Sequence, residues 1–189
     1  MSKKVYVGVN NVARNIKTMY VGVNGVARKV KKAYVGVNGI ARTFYTSTTL
    51  QFIGFTNTSV NGGYGTTIAS KDGNSLYMSA SGTGPVAIDA GYNLCDSNGN
   101  VYLIPAGSTI TFTMRYEKAA SYNLCCLRLA NTSGNNTYPY RNVNVTNETF
   151  TVTENSYLMF LAEVGFNGSS SEYAKVWVDR FEINGEKII

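Results

Sequence analysis

Histidine is absent from this 189-residue chain. Its absence removes Ser-His-Asp and Cys-His nucleophilic catalysis, histidine zinc sites and imidazole proton relays. Cysteine is scarce: Cys95, Cys125 and Cys126 make no disulfide framework and sit in no metal-ligand spacing. Cys125 and Cys126 are adjacent, so on a strand they point to opposite faces and do not readily pair with each other. Buried free thiols are the expectation. Charge is low at 15%, yet 44% hydrophobic content excludes a disordered chain. No run approaches the roughly 18 apolar residues of a membrane span, and residues 1–8 lack the apolar core of a signal peptide. The expectation is synthesis in the cytoplasm without a signal peptide and without membrane insertion. Three prolines in all, with Gly, Asn, Ser and Thr clustered between short apolar runs, are the composition of many strands joined by tight turns.

What is present begins with a repeat. Tyr6-Val-Gly-Val-Asn-Asn-Val-Ala-Arg14 returns as Tyr20-Val-Gly-Val-Asn-Gly-Val-Ala-Arg28 and Tyr34-Val-Gly-Val-Asn-Gly-Ile-Ala-Arg42, a period of 14 residues. Charge divides at its end: residues 1–45 carry nine Lys/Arg and no acid, residues 46–189 eight Lys/Arg against eleven acids. We therefore divide the chain into a basic repeat segment, 1–45, and a second domain, 46–189.

Asn-Gly is the strongest short signal for a two-residue hairpin turn. With that turn, Val23 pairs with Val26, Gly22 with Ala27, Val21 with Arg28, Tyr20 with Lys29 and Met19 with Val30. Two five-residue strands and two two-residue turns account for the period, and the expectation is a six-stranded antiparallel meander. Its alternation separates an aliphatic face, interrupted only by Arg14, Arg28 and Arg42, from a Tyr-Gly face. A helical reading of residues 26–33 is also open, since Val26, Val30 and Ala33 share a helical face. A single-layer meander with one apolar face is not stable in water alone, so the repeats are expected to assemble into homo-oligomers or to dock. The cations Arg14, Arg28, Arg42, Lys29, Lys31 and Lys32 then read as a solvated, aggregation-resistant edge, a docking surface, or a polyanion site. Nucleic acid is disfavoured, because no stacking or recognition-helix module accompanies the charge.

Beyond Tyr45, candidate strands fall at 49–55, 66–70, 75–80, 86–90, 101–104, 109–116, 122–130, 148–152, 157–164 and 174–184. Asp96-Ser-Asn-Gly-Asn100 and Asn131-Thr-Ser-Gly-Asn-Asn136 are turn clusters between them. Within 109–116, Ile110, Phe112, Met114 and Tyr116 alternate against threonines and Arg115, giving one buried and one exposed face. The fold class is all-β: hairpin repeats followed by a jelly-roll β-sandwich.

Three segments carry a resemblance: Pro105-Ala-Gly-Ser leading into Thr109-Ile-Thr-Phe-Thr-Met, Thr149-Phe-Thr-Val-Thr-Glu-Asn-Ser-Tyr-Leu-Met-Phe-Leu161, and Ala174-Lys-Val-Trp-Val-Asp-Arg-Phe-Glu-Ile183. In this order they resemble carbohydrate-binding-module-like jelly rolls of bacterial and phage surface proteins. The repeat is similar to one found in phage and prophage tail proteins of Gram-positive bacteria. The resemblance implies a virion tail subunit, with a trimer among its expected states. It also implies other tail proteins as partners and a C-terminal module that meets a host-surface glycan.

Sugar binding asks for aromatic faces beside short polar side chains. Asn136-Thr-Tyr-Pro-Tyr-Arg-Asn142 supplies both and reads as a loop, making Tyr138, Tyr140, Arg141 and Asn142 the first candidates. One of these tyrosines packing on the sandwich edge is the competing reading. Trp177 is a further glycan candidate, with core packing as its alternative. Asp96, Asn98 and Asn100 have the two-residue spacing of a calcium loop, but no bidentate Glu, so a plain turn is favoured over calcium, and no other cofactor is expected. Glu117, Glu148, Glu154, Glu163, Glu172 and Asp179 could in number serve a glycosidase, but nothing pairs them by spacing. The function expected is therefore non-enzymatic: a tail or adhesin subunit with assembly repeats and a glycan-binding jelly roll. The alternatives are a purely structural virion or linker protein, and a basic-repeat binder of an anionic polymer.

Overall fold

Each repeat pairs its Tyr-Val-Gly-Val with its Val/Ile-Ala-Arg. The computed structural model describes residues 6–9, 12–15, 19–23, 26–30, 32–37, 40–46, 49–57, 64–84, 88–121, 123–165 and 167–189. Strands β1 (Tyr6–Val9) and β2 (Val12–Asn15), β3 (Tyr20–Val23) and β4 (Val26–Lys29), and β5 (Lys32–Val37) and β6 (Ile40–Thr46) form three antiparallel hairpins. The pairing is the expected one: Tyr20 with Lys29, Val21 with Arg28, Gly22 with Ala27 and Val23 with Val26. The Val30 N–H donates to the Met19 carbonyl at 2.7 Å, which extends the ladder. In the third hairpin a bulge at Phe44 shifts the register, so Ala33 faces Tyr45 while Tyr34 faces Thr43. Each hairpin is a two-stranded sheet; joining of the three into one meander is not a feature of the described strands.

Residues Leu50–Ile189 form a separate compact unit. Its strands are β7 (Leu50–Asn57), β8 (Tyr64–Asp72), β9 (Ser75–Gly84), β10 (Ile88–Asp96), β11 (Leu103–Ile104), β12 (Thr109–Lys118), β13 (Leu124–Asn131), β14 (Asn136–Arg141), β15 (Val145–Thr151), β16 (Ser156–Val164), β17 (Asn167–Ile183) and β18 (Glu186–Lys187). They make two antiparallel sheets, ordered β14-β13-β16-β10-β7 and β15-β12-β17-β9-β8, with β11 added to β16 and β18 to β17. The connectivity is nested. β9 pairs with β17, β10 with β16, β12 with β15 and β13 with β14. Successive pairs go to alternate sheets, which is the wrapping of an eight-stranded jelly roll. β7 and β8 extend it by one strand on each sheet.

The core lies between the sheets and is set by period-two alternation. Leu158, Phe160, Ala162 and Val164 of β16 face Ala174, Val176, Val178 and Phe181 of β17, with Ile110, Phe112 and Met114 beside them. Phe160 contacts Phe52, Phe112 and Phe181 at ring-centroid distances of 5.8, 6.0 and 5.8 Å. Phe112, Phe160 and Phe181 are fully buried. Each such side chain contributes about 1.5–3 kcal/mol of transfer free energy.

One strand departs from the expectation. Asn136–Arg141 is not a loop but β14, the edge of its sheet. Pro139 argues against a central strand, but an edge tolerates it, since its missing N–H costs no ladder bond there. The register steps from Leu127–Tyr140 to Leu129–Thr137, so Tyr138 and Pro139 together oppose Arg128 in a bulge.

Candidate functional site

On β16, Tyr157, Met159, Leu161 and Glu163 alternate with the core residues and point to the outer face of the β14-β13-β16-β10-β7 sheet. Cross-strand register assembles three rows there. Asn57, Asp89, Glu163 and Leu124 form the first. Phe55, Gly91, Leu161, Cys126 and Arg141 form the second. Ile53, Asn93, Met159 and Arg128 form the third.

The centre of this face is apolar and closed to water. Leu124, Cys126 and Leu161 are buried, with Phe55 and Met159 packed against them. A side chain at position 91 would deny Phe55 its place: a Cβ there would meet the Phe160 carbonyl oxygen at 2.4 Å and the Phe55 ring at 2.6 Å. The two adjacent cysteines are thus divided between the core (Cys125) and this outer cluster (Cys126). Burial pushes each thiol up to about 12.

Charges surround the apolar centre. Asp89 and Glu163 are direct cross-strand neighbours. Burial raises the Asp89 carboxyl, and the Arg128 charge and Asn57 amide only partly oppose it. Burial, then the neighbouring Asp89 charge, raises Glu163 against the pull of Arg128 and Arg141. The arginines are felt at a distance: among the described ion pairs, none joins Arg128 or Arg141 to either carboxylate. Arg128 Nε is shut off from water with no hydrogen-bond acceptor. Like charges set opposite each other and an unmet buried donor both cost stability. Such costs, gathered with shifted carboxyls on one face, mark a functional-site candidate.

The outer face of the other sheet is built in the opposite way, with the charges of β12 and β17 paired. Arg115, Trp177 and Tyr77 are cross-strand neighbours on β12, β17 and β9. The Arg115 guanidinium carbon lies 4.4 Å from the Trp177 ring centre, and the Tyr77 ring centre is 5.3 Å away at 37°. Asp179 accepts from Arg115 Nε at 3.2 Å and from the Ser75 hydroxyl at 2.6 Å. Lys175 pairs with Glu117 at 3.3 Å, and Arg180 with Glu182 at 2.8 Å. Trp177 is therefore neither a core residue nor a bare stacking surface; Arg115 and Tyr77 flank its ring from the two neighbouring strands.

The other sequence candidates separate. Tyr138, 39% exposed, sits in the bulge opposite Arg128, and Arg141 closes the second row. Tyr140 turns inward: its ring centre is 4.9 Å from that of Phe112 and 5.4 Å from that of Phe150, and its hydroxyl donates to Glu148 Oε1 at 3.0 Å. Burial first, and then Glu148, raise that phenol to about 12. Asn142, at φ +52°, binds its neighbour strand twice: its N–H donates to the Cys125 carbonyl at 2.7 Å, and its Oδ1 accepts the Cys125 N–H at 2.8 Å. It is a turn residue. Asp89 was passed over in the sequence because nothing local to it signals a partner 74 positions away.

The calcium reading of Asp96, Asn98 and Asn100 gives way to a turn. Asp96 Oδ1 accepts the N–H groups of Asn98 and Asn100 at 2.9 and 3.0 Å. Asn131 Oδ1, in the second turn cluster, takes those of Ser133 and Asn135 at 3.0 and 2.9 Å. A neutral amide makes the same turn, so the carboxylate is there as an acceptor, and donors occupy the space a cation would need. Desolvation by itself would raise Asp96, but donation from Asn100, Asn98 and Gly99 lowers it.

In the repeats, Arg14, Arg28 and Arg42 stand in register opposite Val7, Val21 and Val35, Lys29 opposite Tyr20 and Lys32 opposite Thr46. Lys31 lies outside the described residues. Tyr20 and Val21, which alternate along β3, are 64% and 51% exposed. Compared with protein-family models, with curated proteins and with solved structures, the chain matches none.

Proposed function

We propose that this protein is a non-enzymatic adhesin-type subunit, of the kind that serves in a virion tail, whose jelly roll binds a surface glycan. The site is the outer face of the β14-β13-β16-β10-β7 sheet. One observation carries this reading: carboxylates and guanidinium groups that do not pair with each other surround a dry apolar floor. Sugars present both kinds of partner at once. Their hydroxyls donate to carboxylates and accept from arginines, while their C–H faces lie against Phe55, Met159 and Tyr138.

The repeats supply assembly in this reading, because exposed Val21 and Val23 need a cover that β3 and β4 do not provide. Screening the full chain on a glycan array tests the binding half. Arg141→Ala and Tyr138→Ala should each abolish or sharply weaken capture, and Trp177→Ala should leave it intact. Unchanged capture in both of the first two removes the site. Mass in solution tests the assembly half, and a monomer at all concentrations removes it.

A further inference from the structure

The two poles of this face are separated in space. Asp89 and Glu163 share the first row, whereas Arg141 lies in the second and Arg128 in the third. Rows are spaced by two residues, so Arg128 starts about 14 Å along the sheet from the row of Glu163. Leu161 and Cys126 lie between them. The acidic pole has Asn57 beside it and, among the described residues, no cation within ion-pair distance. The basic pole holds a guanidinium with a buried N–H that lacks an acceptor.

A neutral glycan would use the floor and leave both poles as they are. A purely anionic glycan would meet the arginines but be repelled by the carboxylate pair, and a purely cationic one the reverse. Resting on the glycan-binding reading above, we infer that the ligand is a zwitterionic glycan, bearing a free amine and an anionic group on neighbouring sugars. Its ammonium sits between Asp89 and Glu163 and removes their mutual repulsion. Its carboxylate or phosphate is taken by Arg141 and Arg128, the latter turning toward an acceptor that the free protein does not offer it. Two linked rings bridge the apolar centre between the poles.

Isothermal titration of the full chain with four probes tests this. They are de-N-acetylated heparosan fragments (amine and carboxylate on adjacent sugars), the same fragments fully N-acetylated, chitosan oligomers, and cello-oligosaccharides. The zwitterionic probe should bind at least about tenfold more tightly than each of the others, the value of one charge-assisted contact. Glu163→Gln should erase the preference for the free amine over the N-acetyl form while keeping the preference for the carboxylate. Arg141→Gln, an exposed edge position, should do the converse. Equal affinity for the cello-oligosaccharides overturns the zwitterion assignment and leaves the glycan-binding reading standing. Binding of none of the four overturns both.

Discussion

Replacing Glu163 by glutamine should make the protein more stable at neutral pH, the reverse of what removing a charged side chain from an ion pair would do. Asp89 and Glu163 are directly opposed on β10 and β16, with Cβ atoms about 5 Å apart as in any such pair. Two unit charges about 6 Å apart repel by about 3 kcal/mol at an effective dielectric of 20, and by under 1 kcal/mol in bulk water. Both side chains are half-buried and Arg128 offsets part of the repulsion, so the relief expected is about 1 kcal/mol. For a domain of this size that corresponds to a rise in Tm of about 2–4 °C.

The pH dependence has a defined sign. Both carboxyls are raised above their ordinary values of 3.8 and 4.5, so in that window the native state holds protons that the unfolded state has released. Stability therefore falls as pH rises through the window, and the penalty is fully present above it. Glu163→Gln should gain little at pH 4 and most at pH 7. Urea melts at half-unit steps between these limits, with an unchanged m-value, would measure the difference. A loss of stability at pH 7 would show that the arginines hold Glu163 as an ion pair, and the open-pole account of this face would be wrong.

Gly91→Ala should cost about 1–3 kcal/mol or more, because the new Cβ meets the Phe160 carbonyl and the Phe55 ring; a melt within error of the parent protein would contradict the packing described. Tyr140→Phe should lose about 1 kcal/mol with its bond to Glu148, while sugar binding is unchanged, and altered glycan capture would put Tyr140 back in the site. In the native protein Cys125 and Cys126, with thiols at about 12, should resist an aromatic disulfide reagent at pH 8 and react only on unfolding; fast labelling of either would refute their burial.

Local chemistry explains what was legible in the sequence. The Asn-Gly dipeptide in the sequence predicts Val23 opposite Val26, and β3 and β4 pair in that register residue by residue. Ile110, Phe112 and Met114 alternate on β12 and are buried as expected. The alternation of a strand is visible in one dimension, but its edge or centre position is not. Residues 136–142 read as a loop, and only the sheet order shows β14 to be an edge strand with a bulge. Trp177 had no inward or outward label until Val176 and Val178 took the core. Asp89 and Glu163 become neighbours solely through the nested pairing of β10 with β16. No spacing rule reaches across that distance.

The same alternation produced both outer faces of the sandwich, and the proposed site rests on the contrast between them. On the β12-β17-β9 side, cations and acids alternate so that Arg115 meets Asp179, Lys175 meets Glu117 and Arg180 meets Glu182. Trp177 needs no ligand there, because Arg115 already lies over its ring. On the β14-β13-β16-β10 side, Asp89, Glu163, Arg128 and Arg141 are placed so that acids face acids and arginines face apolar side chains. Exchanging Glu163 with Met159 in register would have set it beside Arg128 and closed the pair. A surface shaped only for solubility and stability gains nothing from the arrangement found, since each unmet charge or donor lowers the free energy of unfolding. A surface shaped for a partner gains from it, because those groups are met when the partner arrives. In the proposed function the open face is where the ligand is met, and the exposed valines of β3 are a second surface, available for assembly.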